Sequence, residues 1–157
     1  MDRFDLIVIG SGAGTHVASI ASKEGLKVAL VDRGPAGGAC LNNGCIPSKM
    51  LIYPADVIRI LQNAKDVGVE ARIARIDFKK IMNRMHSIVE KNREQLEKAI
   101  NAKENIAWYK TTAEFIGDYI LKIEDKTLTA PKIVIATGAR ALVPPVQGLK
   151  EVGYLDN

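Results

Sequence analysis

The stretch LIVIGSGAGTHVASIASKEGLKVALVD, residues 6–32, decides the fold. Leu6-Ile7-Val8-Ile9 is an unbroken apolar run. That is the pattern of a parallel strand covered on both faces, not the alternation of a half-exposed one. Gly10, Gly12 and Gly14 follow at once and open a helix carrying Ala13, Val17, Ala18 and Ala21 on one side, with Gly25 as the cap at its end. A second buried run, Val28-Ala29-Leu30-Val31, ends at Asp32. Strand, glycine turn, helix and strand make a βαβ unit, and the chain is read as α/β.

A glycine turn in that position has a chemical use. It lets the backbone approach a pyrophosphate, while the helix N-terminus presents unpaired N–H groups and a partial positive charge. Asp32 closes the second strand about 20 residues on, where an acidic side chain accepts hydrogen bonds from a ribose. The usual third glycine, which permits close helix–strand packing, is replaced by Thr15. The spacing favours a dinucleotide, FAD or NAD.

Outward from this unit, residues 34–44 read as a glycine-rich loop. A helix signal restarts near Ile46 with Pro47 in its first turn, and Pro54 is expected to kink or restart it. A long helix is expected from about Phe78 to Ala102, capped by Asp77, with Met82, Met85, Val89, Leu96 and Ala99 as an apolar stripe interrupted by Asn92. Ile106–Lys110, Ala113–Ile116, Tyr119–Ile123 and Thr127–Thr129 are short strands, with Gly117-Asp118 and Asp125-Lys126 as turn signals. Lys132–Ala136 is another buried strand, followed by Thr137-Gly138, and Pro144-Pro145 with Gly148 mark an exit linker.

Composition narrows the class. The 157 residues are 47% hydrophobic and 25% charged, with a net charge of +4. This is a globular composition with a mild basic balance. No apolar run approaches the roughly 20 residues of a spanning helix, and the N-terminus lacks a signal-peptide pattern. The expected location is cytoplasmic, with no membrane partner. The Lys/Arg-rich long helix raises a nucleic-acid alternative, but a solvated helix face explains those charges and no nucleic-acid partner is expected.

Two cysteines, Cys40 and Cys45, stand in GGACLNNGCIPSK, residues 37–49. So few cannot form a disulfide framework or a four-thiolate zinc site. Closing so short a loop would stabilise the fold by only roughly 2 kcal/mol, a weak reason to keep a structural bridge. Cys45 is placed at a helix N-terminus, where the dipole favours thiolate, and Lys49 adds a cation. Cys40, further out in the glycine loop, is the better candidate for meeting an external disulfide or dithiol. His16 and His86 lack zinc spacing to either cysteine. A redox pair is ranked ahead of two buried thiols, and metal ligation last.

Together, GSGAG, Asp32, GGACLNNGCIPSK and the late KIVIATGA resemble the pyridine-nucleotide disulfide oxidoreductases. By motif, the member most resembled is dihydrolipoamide dehydrogenase, with glutathione, mycothione and mercuric reductases as near relatives. The resemblance implies a Rossmann-like FAD-binding domain with a parallel central sheet, an antiparallel β-meander and a long helical excursion. It implies FAD held by Gly10, Ser11, Gly12, Ala13 and Gly14 at the pyrophosphate and by Asp32 at the adenosine ribose, with Arg33 a further cofactor-binding residue. Ala113 would meet adenine through its backbone, and Thr137 and Gly138 would pack beside the cofactor. Lys49 would lie near the isoalloxazine ring and Ala39 beside the cofactor, with Gly38 and Gly44 as further cofactor-binding residues. Cys45 would face the flavin as the charge-transfer thiolate, and Cys40 would be the interchange thiol. Ala39 stands where Thr is common, and Asn43 where Val is common.

The resemblance further implies NAD or NADP in the full-length enzyme, a small disulfide or dithiol substrate (lipoamide or a lipoyl domain), and a homodimer. After Gly44 the glycines are Gly68, Gly117, Gly138, Gly148 and Gly153, none forming a second nucleotide loop. The expected organisation is therefore an FAD-binding domain over residues 1–145 and a linker over 146–157 toward an NAD(P)-binding domain outside this chain. By itself the chain is expected to lack NAD-linked turnover.

Overall fold

The computed structural model describes residues 1–155. A two-residue strand, β1 (Asp2–Arg3), precedes β2 (Leu6–Ile9), helix α1 (Ala13–Lys23) and β3 (Val28–Val31). β2 and β3 run parallel with Leu6 opposite Val28 and Ile9 opposite Val31, which completes the expected βαβ unit. Helices α2 (Gly38–Asn42), α3 (Cys45–Asn63) and α4 (Phe78–Asn101) form the excursion, with one 3₁₀ turn at Ala64–Val67. Strands β4 (Ile106–Tyr109), β5 (Glu114–Gly117), β6 (Ile120–Ile123), β7 (Lys126–Thr129) and β8 (Ile133–Ile135) follow, and α5 (Leu149–Val152) is a single turn.

Two sheets result. One is wholly parallel, in the order β4-β3-β2-β8; the other is the meander β5-β6-β7 with β1 added parallel to β7. Ile106–Lys110 is expected from the sequence as a short strand, with no sheet assigned to it. Its first four residues pair with β3, Val28 opposite Ile106 and Val31 opposite Tyr109. That registration is a long-range event, made after the whole helical excursion, and short-range periodicity cannot report it.

The alternation of side chains along β2 and β3 builds two cores from one sheet. Leu6, Val8, Val28 and Leu30 face Ala18 and Ala21 of α1 and Ile100 of α4. Ile7, Ala29 and Val31 face Leu121, Ile123 and Leu128 of the meander. The parallel sheet is thus the middle of three layers, and its central strands are sealed on both sides.

Several local expectations shift. On α1 the buried residues are Gly14, Ala18, Ala21 and Ser22, while Ala13 and Val17 are exposed. The helix ends as expected at Gly25, whose N–H donates to Ser22 O while Leu26 N donates to Ala21 O, a Schellman arrangement. Residues 34–44 are not all loop, because α2 forms within them. α3 continues through Pro54 without a restart: removing one interior donor does not end a 19-residue helix held against α4. On α4 Asp77 caps as expected, accepting from Lys80 N at 3.0 Å, but Ile100 is buried where Ala99 was expected and Ala99 is exposed. The positive-φ turn residues of the meander are Tyr119 and Glu124, each beside the expected turn signal rather than in it. The segment 146–157 carries α5, and its last two residues lie outside the described ones. Among the described residues no helix is long and apolar enough to cross a membrane.

Candidate functional site

The turn after β2 is built on close backbone contact. Gly10 has φ +105°, and a Cβ there would fall 2.1 Å from Ala136 O, where β8 ends beside it. Gly10 N donates to Val31 O at 2.7 Å and Ala136 N to Ile9 O at 2.7 Å, so the ends of three adjacent strands are tied at this point. Gly14 performs the helix–strand packing that the sequence pattern assigns to position 15: a Cβ on it would meet Val8 Cγ1 at 2.7 Å. Thr15 turns its hydroxyl back to donate to Ser11 O, a partnership suited to a residue in the first turn of a helix.

Asp32 is tied to the same turn. Its Oδ2 accepts from Ser11 N at 2.6 Å and Ser11 Oγ at 2.7 Å, and its Oδ1 accepts from Gly34 N at 2.8 Å. Ser11 is fully buried, so the carboxylate satisfies a hydroxyl that water cannot reach. A carboxylate has about four acceptor positions, and three are used, which leaves one free. Burial pushes the Asp32 carboxyl up, yet the hydrogen bonds from Ser11 Oγ, Gly34 N and Ser11 N, helped by Arg33, outweigh it and hold the group below its ordinary value. The stability this provides is complete above the unfolded-state value near 4 and is lost as pH falls through the lower folded value. Solvent screens this partly exposed group, so Asp32→Asn should lose about 1 kcal/mol at pH 7 and flatten the acid limb of stability, read from urea unfolding between about pH 2.5 and 6.

Gly10, Asp32 and Arg33 line one cleft of about 230 Å³ together with Thr111, Thr112, Ala113 and Thr137. Five residues expected from the sequence to bind the cofactor, Gly10, Asp32, Arg33, Ala113 and Thr137, are thus brought to one place from four chain segments. Gly138 follows Thr137 with φ +72° and is exposed. A larger groove of about 630 Å³ between α3 and the segment leading into α4 shares no residue with this cleft.

The cysteine segment meets the turn through a pair of glycines. Gly38, at φ +59°, opens α2 so close to Gly12 that a Cβ on it would stand 2.7 Å from Gly12 Cα. Two facing residues without side chains therefore set the start of the cysteine helix on the start of α1. Cys40 lies in α2, and Cys45 is the first residue of α3 after its N-cap Gly44, as expected from Pro47. Gly44 N and Asn43 N both donate to Ala39 O, at 2.6 and 2.9 Å. Ala39 thus serves the turn through its carbonyl, and its exposed side chain lacks the hydroxyl of the commoner Thr.

Both cysteines are exposed free thiols. The neighbouring Cys45 thiol pushes the Cys40 thiol above its ordinary value, while the Lys49 charge pulls it the other way. Lys49 is exposed on α3, one helical turn after Cys45. His16 and His86 are exposed on α1 and α4.

Sequence reading passed over two residues. Asn42 donates its side-chain amide to Ala36 O and Gly38 O at 3.0 and 2.9 Å, and its Oδ1 accepts from Arg93 Nε at 3.0 Å. An Asn at a helix end is a familiar turn residue and could have drawn notice. Arg93, 51 residues away, carries no local signal at all.

Such a chain can place a nucleotide along the βαβ turn and a thiol pair at one end of it. A family model described as pyridine nucleotide-disulphide oxidoreductase matches residues 4–157. Dihydrolipoyl dehydrogenase of Zymomonas mobilis is 38% identical over 146 residues, covering 89% of this chain and 31% of that protein. Mercuric reductase of Staphylococcus aureus is 34% identical over 97% of this chain and 28% of its own length. Mycothione reductase of Mycobacterium tuberculosis is 32% identical over 98% of this chain and 35% of its own. The HOCl-induced flavoprotein disulfide reductase RclA from Escherichia coli superposes with a TM-score of 0.76 at 29% identity, over 93% of this chain and 31% of that one. The chain thus spans about a third of the length of these relatives.

Proposed function

Because the chain belongs to the pyridine nucleotide-disulphide oxidoreductase family, we propose that it is the FAD-binding part of a flavoprotein dithiol/disulfide oxidoreductase. Dihydrolipoyl dehydrogenase is the member proposed, supported by the cysteine motif and by the relative at 38% identity. The observation that carries the reading is the Gly12–Gly38 contact, which seats the cysteine helix on the nucleotide turn.

In this reading Gly10, Ser11, Gly12, Ala13 and Gly14 hold the pyrophosphate at the start of α1, Asp32 and Arg33 the ribose, and Ala113, Thr137 and Gly138 the adenosine surroundings. Gly38, Ala39, Gly44 and Lys49 border the flavin ring. Bound FAD supplies a two-electron carrier between nicotinamide and thiols. Against a disulfide substrate, the Cys40 thiolate attacks one sulfur and releases a substrate thiol, leaving a mixed disulfide. Cys45 then attacks Cys40, releasing the second substrate thiol and leaving a Cys40–Cys45 disulfide. Oxidation of a dithiol such as dihydrolipoamide runs the same steps backwards, with NAD or NADP as final acceptor in a homodimeric whole enzyme.

The residues present suit the cofactor: the backbone turn is closed to any Cβ at Gly10, and Asp32 keeps one acceptor position toward the cleft. Titrating FAD into the protein should quench flavin fluorescence saturably at one equivalent, and ADP should compete for the adenosine end. A titration with neither saturation nor ADP competition would overturn the reading.

A further inference from the structure

Helix α2 has five residues and buries none of them, so it cannot be stable by its own hydrogen bonds. Yet it must hold Cys40 facing Cys45. Asn42 closes it: the side-chain amide reaches back from the last residue of the helix to Ala36 O and Gly38 O at its start, with a longer approach of 3.4 Å to Pro35 O. The remaining oxygen of the same amide is taken by Arg93 Nε at 3.0 Å. Arg93 belongs to α4, a 24-residue helix anchored in the core by Met85, Val89 and Ile100. Asn42 and Arg93 are both half-buried, which strengthens a charge-assisted hydrogen bond relative to one in open water. Donation into the amide oxygen also polarises its N–H groups toward Ala36 and Gly38.

We infer that Arg93 is a positioning residue for the Cys40–Cys45 couple: through Asn42 it fixes α2 and keeps one sulfur presented to the other. The inference rests on the reading that these thiols cycle between dithiol and disulfide. Intramolecular disulfide formation depends on the effective concentration of one thiol at the other, so loosening α2 disfavours the disulfide and leaves the pair more oxidising. Arg93 touches neither sulfur, and its effect is on geometry.

The test equilibrates the protein in mixtures of reduced and oxidised dithiothreitol and counts free thiols by alkylation and mass. Two protein S–H groups give up two electrons and two protons to form one S–S bond, while the S–S bond of the reagent opens to two thiols. Arg93→Met should shift the equilibrium about 10-fold toward the dithiol, or about 30 mV for a two-electron couple. Asn42→Ala should shift it at least as far, and the double variant no further than Asn42→Ala, because both act through one contact. Arg93→Lys should recover part of the shift, and Lys91→Met, exposed on the same helix, should cause none. Should Arg93→Met fail to fold by circular dichroism, Arg93→Gln poses the same question. A folded Arg93 variant with the wild-type midpoint overturns the inference alone. Wild-type protein that forms no intramolecular disulfide at any ratio overturns the functional reading, and the inference with it.

Discussion

Cys45→Ser should abolish the long-wavelength absorbance that the FAD-loaded protein develops on reduction by a dithiol, whereas Cys40→Ser should keep it. Cys45 is the first residue of α3, where the unpaired N–H groups and the helix dipole favour an anion, and a serine hydroxyl does not ionise near neutral pH. Cys40 lies in α2, where the neighbouring Cys45 thiol makes the Cys40 thiolate harder to form. In the complete enzyme either substitution should lower disulfide turnover by about 10³-fold or more, the scale on which removing a reacting nucleophile acts. The spectrum separates the roles that turnover cannot. Anaerobic titration of both variants with dihydrolipoamide checks this, and a Cys45→Ser protein that retains the band refutes the assignment.

Gly10→Ala should destabilise the chain by about 3–5 kcal/mol, combining left-handed backbone strain with a clash that no rotamer relieves. The added Cβ would meet a backbone carbonyl, Ala136 O, and only a separation of β2 from β8 makes room. Against typical stabilities of 5–15 kcal/mol this removes a large share of what holds the domain together. Gly25→Ala provides the control: its φ is +82°, but a Cβ there has nothing within 4 Å, so only the strain of about 1–2 kcal/mol remains. Urea unfolding of the two variants should differ by about 1–4 kcal/mol, and equal losses would show that the strand-end contact contributes nothing.

The parts of the site legible in the sequence are those written within a few residues. The apolar runs at residues 6–9 and 28–31, the glycines between them and the placement of Cys45 before Pro47 all report local backbone demands. The Asp77 cap and the Gly25 helix end are readable for the same reason. Errors began where the reason for a residue lies elsewhere in the chain. The face of α1 could not be assigned from spacing alone, because the layer that buries Ala18 and Ala21 is completed by Ile100 and Ile106. Asp32 was legible as the residue that closes the second strand but not as the partner of Ser11, since that bond forms only once two strands lie side by side.

By itself, then, the sequence determined the βαβ unit, its glycine turn and the placement of two thiols five positions apart, because dihedral preference, capping and side-chain period act over one or two turns of chain. Tertiary structure decided that Ile106–Tyr109 joins the parallel sheet, that Gly38 rests on Gly12, and that Arg93 reaches Asn42. Each of these contacts exists only after packing has brought distant segments within a few ångströms, and the partner that gives the residue its purpose is absent from its own neighbourhood in the chain.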